Sequence, residues 1–527
     1  MGGCSTKMAS TTSGVHNVSD LHAGMVSMQY AVRGKVPALA AELQAKLDNG
    51  DAVGDFAELI PCNIGNPHAV KQPPVSFYRE VASALYHPRL MEAGALEASQ
   101  LYATDVLARA REYHRATGGN GVGAYTDSIG LKLVRQQVAE FIEERDGFPC
   151  NPAHVALTTG ASEGVKRTLG ALIRGPHDAI LIPRPQYPLY SASVTMAGGR
   201  AAYYDLNESH GWTVGLGELE RSAAAAAATK GCTGARALCV INPGNPVGAV
   251  LGEADVAMMI CFAARRGLVL LADEVYQANV YKEGARFHSF KRVFRKLETG
   301  ELTIPNGVDG WTPVCTKDQL ASFQLISFHS TSKGLIGECG ERGGYMEMVG
   351  FSEDVIAQFT KVAATSLSSG TIGQIFVGLM VAPPKPGEPS YERFKQECDT
   401  IYEGLCRRAQ RATKALNAIP GISSAEIEGA MYAFPSIQLP EAFVAYAASK
   451  GSAADELWCL ELLKATGIIC VPGSGFKQAE GTWHFRMTIL PQDAAFDAML
   501  EKMARFMEAL YARWGVAPLQ ESPTFVV

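Results

Sequence analysis

The clearest chemical stretch in the chain is F-H-S-T-S-K-G-L-I-G-E-C-G-E-R-G-G-Y, from Phe328 to Tyr345. Lys333 leaves the apolar run Leu325-Ile326-Ser327-Phe328 into a Ser/Thr/Gly loop, and Arg342 follows with glycines close on both sides. A lysine so placed sheds part of its hydration and can serve as a Schiff-base nucleophile. The planar donor fork of an arginine suits phosphate oxygens. A solvated lysine in a polar loop is the competing reading, so the elements around it must decide.

Those elements repeat one pattern. Apolar runs at Val155–Leu157, Ala179–Ile182, Ala237–Ile241, Leu268–Ala272 and Leu325–Phe328 alternate with helical segments. Such alternation predicts a largely parallel sheet covered on both faces. Asn245, Asp273, Tyr276, Ser330 and Lys333 all fall just after carboxyl ends of these strands, where open α/β sheets bind ligands. The first strand runs into T-G-A-S (Thr159–Ser162) at a helix start, so Ala161 and Ser162 present free N–H groups to an anion, or Ser162 serves as an ordinary cap. Gly65, in N-I-G-N-P, allows close approach to the backbone or simply makes a turn. Tyr187 stands between prolines in P-R-P-Q-Y-P-L-Y, and Tyr125 in G-A-Y-T-D-S-I-G.

Composition narrows the class. The 527 residues are 47% apolar and 19% charged, with a net charge of −6. That supports a large core in two or three domains and argues against nucleic-acid binding. Twelve cysteines without a C-x-x-C pair suggest a reducing compartment and no zinc site or disulfide framework. The N-terminal M-G-G-C-S-T fits N-myristoylation at Gly2 with Thr6 as the hydroxyl residue and Cys4 as a second acyl site, against a plain tail over residues 1–25. A cytoplasmic location is expected, with weak membrane association only if Gly2 and Cys4 are acylated. Residues 36–48 and 131–145 have helical periodicity, the latter capped by Ser128 and stopped by Pro149. Ala223–Ala228 is expected to be a surface helix, 297–322 an exposed loop and 386–416 a long helix.

Competing motifs fail. No P-loop accompanies the Asp273-Glu274 pair and no G-x-S-x-G elbow occurs. Pyridoxal 5′-phosphate fits the strand ends better, since it needs a lysine, a carboxylate for its ring nitrogen and phosphate ligands. The motifs N-I-G-N-P, G-A-Y-x-x-S-x-G, T-G-A-S, P-Q-Y-P-L-Y, N-P-G-N-P, A-D-E-V-Y-Q, the lysine loop and S-L-S-S-G-T-I-G-Q-I-F-V-G-L-M-V resemble the alanine aminotransferase family of fold-type I pyridoxal-phosphate enzymes, from about Val26 to the C-terminal region.

The resemblance implies an α/β fold with a large mostly parallel-sheet domain (119–385) and a smaller α+β domain built from 26–118 and 386–527. It implies Lys333 as the cofactor-linked lysine, Asp273 on the ring nitrogen, and Tyr276 and Asn245 on the phenolic oxygen. Tyr187 would stack on the ring, while Ala161, Ser162, Ser330 and Arg342 would hold the phosphate. Tyr125 would reach the phosphate of a neighbouring subunit in a homodimer. Arg486, in H-F-R-M-T, would pair with the substrate α-carboxylate beside Gly65 and Asn245. The implied reaction is L-alanine plus 2-oxoglutarate giving pyruvate and L-glutamate. A glutamate–glyoxylate aminotransferase, a fold-type I lyase and a non-catalytic cofactor-binding regulator are the alternatives. Val247 replaces the family's usual Thr, and Glu341 its usual Tyr before the arginine.

Overall fold

The computed structural model describes residues 17–30, 34–92, 100–119 and 121–515. The acylation motif at Gly2, Cys4 and Thr6 lies outside them. Seven strands make the main sheet: β1 Val155–Thr159, β2 Asp178–Arg184, β3 Arg200–Asp205, β4 Gly234–Ile241, β5 Val269–Asp273, β6 Gln324–Ser330 and β7 Gly343–Val349. Their spatial order is β1-β7-β6-β5-β4-β2-β3. All neighbouring pairs are parallel except those made by β7, which runs against both β1 and β6. The strands β3 and β7 were not among the expected ones. β3 is only half buried and β7 carries two glycines and a glutamate, so neither reads as an apolar run.

The inner strands carry apolar side chains on both faces because both faces are covered. Leu238, Val240, Leu270, Ala272 and Leu325 pack into one core. Their sequence neighbours Ala237, Cys239, Ile241, Val269, Leu271, Ile326 and Phe328 pack into another on the opposite face. This is the period-two alternation of a pleated strand. The register sets Ile241 beside Asp273 and Asp273 beside Phe328, so β4 and β5 end level and β6 runs on past them to Ser330.

Both ends of the chain share a further core. Strand Ile60–Pro61 pairs in parallel with Ile468–Ile469. The helix Lys35–Asp48 packs on Ala454–Thr466. The helix Tyr391–Ala418 leads into this part, and the short strand Tyr432–Ala433 pairs with Phe485–Thr488.

Several local expectations are corrected. Residues 18–20 form a helical turn and Ala23–Ser27 a helix, so ordered structure begins inside the span read as a tail. The helix Lys132–Asp146 starts after Leu131 without a side-chain cap, and Gly147 in the left-handed region ends it before Pro149. The alanine run does lie in a surface helix, Leu216–Ala228, with Ala223 and Ala226 on its buried face, where small residues let it sit close on the sheet. Within 297–322, the helix Phe290–Thr299 runs in from the left and Thr316 caps Lys317–Ala321. Val314, Cys315 and Leu320 are buried there, while most of the other residues stay exposed, Val308 by 81% and Trp311 by 88%.

Candidate active site

The neighbouring carboxyl ends of β4, β5 and β6 form the floor of a cavity of about 290 Å³. It is lined by Gly65, Ala161, Ser162, Tyr187, Asn245, Asp273, Tyr276, Ser330, Lys333, Arg342 and Arg486, so every expected site residue but one converges on it. The exception is Tyr125, which is 78% exposed and lines no part of this chain's cavity.

Lys333 follows β6 and donates from Nζ to the Gly65 oxygen at 2.6 Å. A methyl group on Gly65 would overlap the Tyr432 hydroxyl and come within 2.9 Å of Lys333 Nζ. Only a residue without a side chain fits there.

Asp273 ends β5 and is buried. Its Oδ2 accepts from the Tyr190 hydroxyl at 2.9 Å, while Oδ1 has no partner among the described residues. Burial pushes this carboxyl up to about 6, against the pull of the Tyr190 hydroxyl, the Val275 N–H and Lys333. A buried carboxylate with one unmatched oxygen facing a cavity is fitted to a cationic N–H donor. Asn245 Nδ2 donates to the Tyr276 hydroxyl at 3.4 Å, and burial holds the Tyr276 phenol well above the usual tyrosine range.

At the opposite wall, β1 turns through Gly160, with φ 72°, into the helix Ala161–Leu172. Its first N–H groups have no partner within the helix. The Arg342 guanidinium lies against this end, donating to the Thr159 oxygen at 3.2 Å and the Ser162 hydroxyl at 3.4 Å. Arg342 itself has φ 56°. Ser330 is buried and its hydroxyl accepts from the Ser332 N–H at 3.4 Å.

Arg486 is 3% exposed. It donates to Asn245 Oδ1 at 3.1 Å and the Asn63 oxygen at 2.6 Å, and it lies over the Tyr432 ring at 4.3 Å and the Phe476 ring at 4.8 Å. Its Nε has no partner, and among the described residues no carboxylate pairs with it. A buried guanidinium without a counter-charge calls for an anionic ligand.

The donor set fits pyridoxal phosphate. The unmatched Asp273 oxygen suits its ring nitrogen, the helix start with Arg342 suits its phosphate, and Lys333 lines the same cavity. Tyr190, Tyr432, Asn63, Ser332 and Cys339 belong to the site but were not singled out from the sequence. Tyr190 ends the P-L-Y of a quoted motif, one helical turn after Tyr187. The others carried no separate signal, because backbone contacts and cross-domain packing recruit them.

Glu341 does not line the cavity. Burial and nearby Glu338 push its carboxyl up while Arg79 pulls it down, and Arg79 is the arginine that grips Glu338 at 2.6 and 2.8 Å. Val247 is buried with Trp212, Phe434 and Phe476, where a hydroxyl would find an apolar cluster.

The description "Aminotransferase class I and II" matches residues 95–503. The chain is 43% identical to the mitochondrial alanine aminotransferase 1 of Arabidopsis thaliana, over 92% of this chain and 85% of that one. It is 42% identical to glutamate–glyoxylate aminotransferase 2 of the same plant, over 94% and 96%. An alanine aminotransferase from Pyrococcus furiosus superposes with a TM-score of 0.69 at 23% identity, covering 93% and 100%. The expected cytoplasmic location is corrected by the first of these, a relative named as mitochondrial.

Proposed function

The chain belongs to the class I and II aminotransferases, and from that membership we propose that it is an alanine aminotransferase using pyridoxal phosphate. It would move the amino group reversibly between L-alanine and 2-oxoglutarate. One observation carries the reading: Lys333, the half-matched Asp273 and the unpaired Arg486 face one cavity at the sheet's carboxyl end.

Pyridoxal phosphate, when bound, supplies the carbonyl that takes up the amino group and a ring that accepts the electron pair left on the α-carbon. The protein supplies the rest. Arg486 binds the substrate α-carboxylate through its planar fork, steered by Asn245 and the Asn63 oxygen. Lys333 takes the proton from the α-carbon and returns it on the other side of the exchange, as a general base and then a general acid. Asp273 holds its charge toward the ring nitrogen, oriented by Tyr190. Tyr276 and Asn245 would meet the ring's oxygen, and Tyr187 would cover its face. Ala161, Ser162, Ser330 and Arg342 hold the phosphate.

The exposed Tyr125 supports a homodimer in which this tyrosine completes the partner's phosphate site. Light scattering of the purified protein tests it: a monomer that binds cofactor at full affinity removes the reading. The similarity to a relative named mitochondrial supports a mitochondrial location, tested by cell fractionation.

The second reading, glutamate–glyoxylate aminotransfer, is favoured by a relative of that name at nearly equal identity. Kinetics with glutamate as donor separate the two. A higher kcat/KM for pyruvate than for glyoxylate supports the alanine reading, and the reverse order overturns it.

A further inference from the structure

Tyr432 has no part in the roles above. It lies opposite Thr488 across the short pairing with Phe485–Thr488, which sets it beside Arg486. Its ring centroid is 4.3 Å from the Arg486 guanidinium carbon. Its hydroxyl accepts from the Tyr276 hydroxyl at 3.3 Å, and the Tyr276 ring packs edge-on at 5.9 Å. The hydroxyl and Lys333 Nζ converge on the one point that Gly65 leaves open.

Two cations therefore flank one buried phenol. Unscreened like charges in a buried cavity repel strongly. A phenol answers both, offering its ring face to one cation and its oxygen to the other. A phenylalanine could do only the first, and a serine or threonine only the second. The titratable or charged groups facing Tyr432 are Lys333, Arg486, Tyr276, Cys339 and Tyr187. Burial raises its phenol, yet Lys333 and Arg486 together bring it below the ordinary tyrosine value, while Tyr276 beside it is raised.

We propose that Tyr432 is a positioning residue with two separable parts: its ring fixes the carboxylate-binding Arg486, and its hydroxyl holds the Lys333 amine in line for proton transfer at the α-carbon. The assignment rests on the reading of Lys333 as the amino-transfer lysine.

Tyr432→Phe and Tyr432→Leu, both as cofactor-loaded enzyme, separate the parts. Three quantities are read: kcat and KM against pH with alanine and 2-oxoglutarate, calorimetric affinity for the unreactive dicarboxylate maleate, and the pH titration of the bound cofactor's visible absorbance without substrate. Tyr432→Phe is expected to lower kcat roughly 10- to 100-fold. It should shift the midpoint of the absorbance titration and leave KM and maleate affinity within about twofold. Tyr432→Leu is expected to lose kcat similarly and also to bind maleate roughly 5- to 30-fold more weakly.

A Tyr432→Phe enzyme with wild-type kcat and titration midpoint overturns the role of the hydroxyl. Equal loss of maleate affinity in both variants overturns the separation. Should Tyr432→Leu not fold, the Tyr432→Phe measurements decide alone. A wild-type enzyme that transfers no amino group instead sinks the functional reading itself, and that control is run first.

Discussion

Lys333 and Gly65, 268 positions apart in the chain, meet through a 2.6 Å hydrogen bond from Nζ to a main-chain oxygen. The reactive lysine of the large sheet is thereby tied to the loop that lies next to the substrate arginine. Asn63, two residues earlier, gives its oxygen to Arg486. One short segment thus gauges the distance between proton transfer and carboxylate binding.

Replacing Lys333 with Ala should leave the circular dichroism spectrum unchanged and reduce turnover by roughly 10²- to 10⁴-fold or more, the range for loss of a general acid–base group. Borohydride treatment of the loaded wild type should attach the cofactor to the peptide containing residue 333. Wild-type-like turnover in the variant would falsify the mechanism.

Gly65→Ala tests the gauge directly. The added methyl overlaps the Tyr432 hydroxyl and crowds Lys333. Turnover should fall while thermal stability stays near wild type, since the crowded atoms belong to side chains lining a cavity. A variant with unchanged kcat/KM means the loop sits elsewhere in the working enzyme.

Arg486→Gln removes, among the described residues, the buried cation that has no carboxylate partner at the substrate end of the cavity. A hydrogen bond to a charged group contributes about 1.5–3 kcal/mol, so KM for alanine should rise roughly 10- to 100-fold. Cofactor affinity should not change. An equal loss of cofactor affinity would place the arginine in the wrong subsite.

Cofactor binding should depend on pH through Asp273. Burial raises its carboxyl to about 6. Below that pH the group is neutral, and pairing with a cationic ring nitrogen requires a proton to be expelled. Affinity of the cofactor-free protein should therefore rise as pH increases through about 6 and level off above it. Asp273→Asn should bind weakly at every pH, without that rise. Tyr190→Phe should move the inflection upward, because the hydroxyl that stabilises the charged form is gone. Fluorescence titration of the cofactor at several pH values reads all three.

A stability test lies away from the cavity. Lys291 and Glu347 form a fully buried ion pair at 2.5 Å, joining the helix Phe290–Thr299 to β7. Lys291→Met strands a carboxylate and should cost about 3–5 kcal/mol, measured by urea unfolding at neutral pH. Adding Glu347→Gln should recover much of that loss; no recovery would mean that packing, not charge, holds this contact.

Much of the site is legible in the residue order alone. Asp273 and Lys333 stand out because a charged residue at the end of a fully apolar strand has few bland uses, and the alternation of runs and helices sets a common edge for them. Arg486 is legible as an arginine inside apolar sequence. Tyr190 and Tyr432 are not, since a buried tyrosine reads as packing until its hydroxyl has an address. The antiparallel β7 is hidden because glycines and Glu347 break its apolar run, and the buried Glu347 is balanced by Lys291 with a further hydrogen bond from Cys150.

Residue order therefore settles the kind of chemistry: the strand pattern, the lysine loop and the family all depend on neighbours along the chain. Distances belong to the folded molecule. Gly65, Tyr432 and Arg486 come from separate stretches of the chain, and long-range contacts such as the pairing of Ile60–Pro61 with Ile468–Ile469, and of Tyr432–Ala433 with Phe485–Thr488, bring them to Lys333. Contacts between segments so far apart leave no periodic trace in either, because each segment's composition is set by its own burial rather than by its partner's identity.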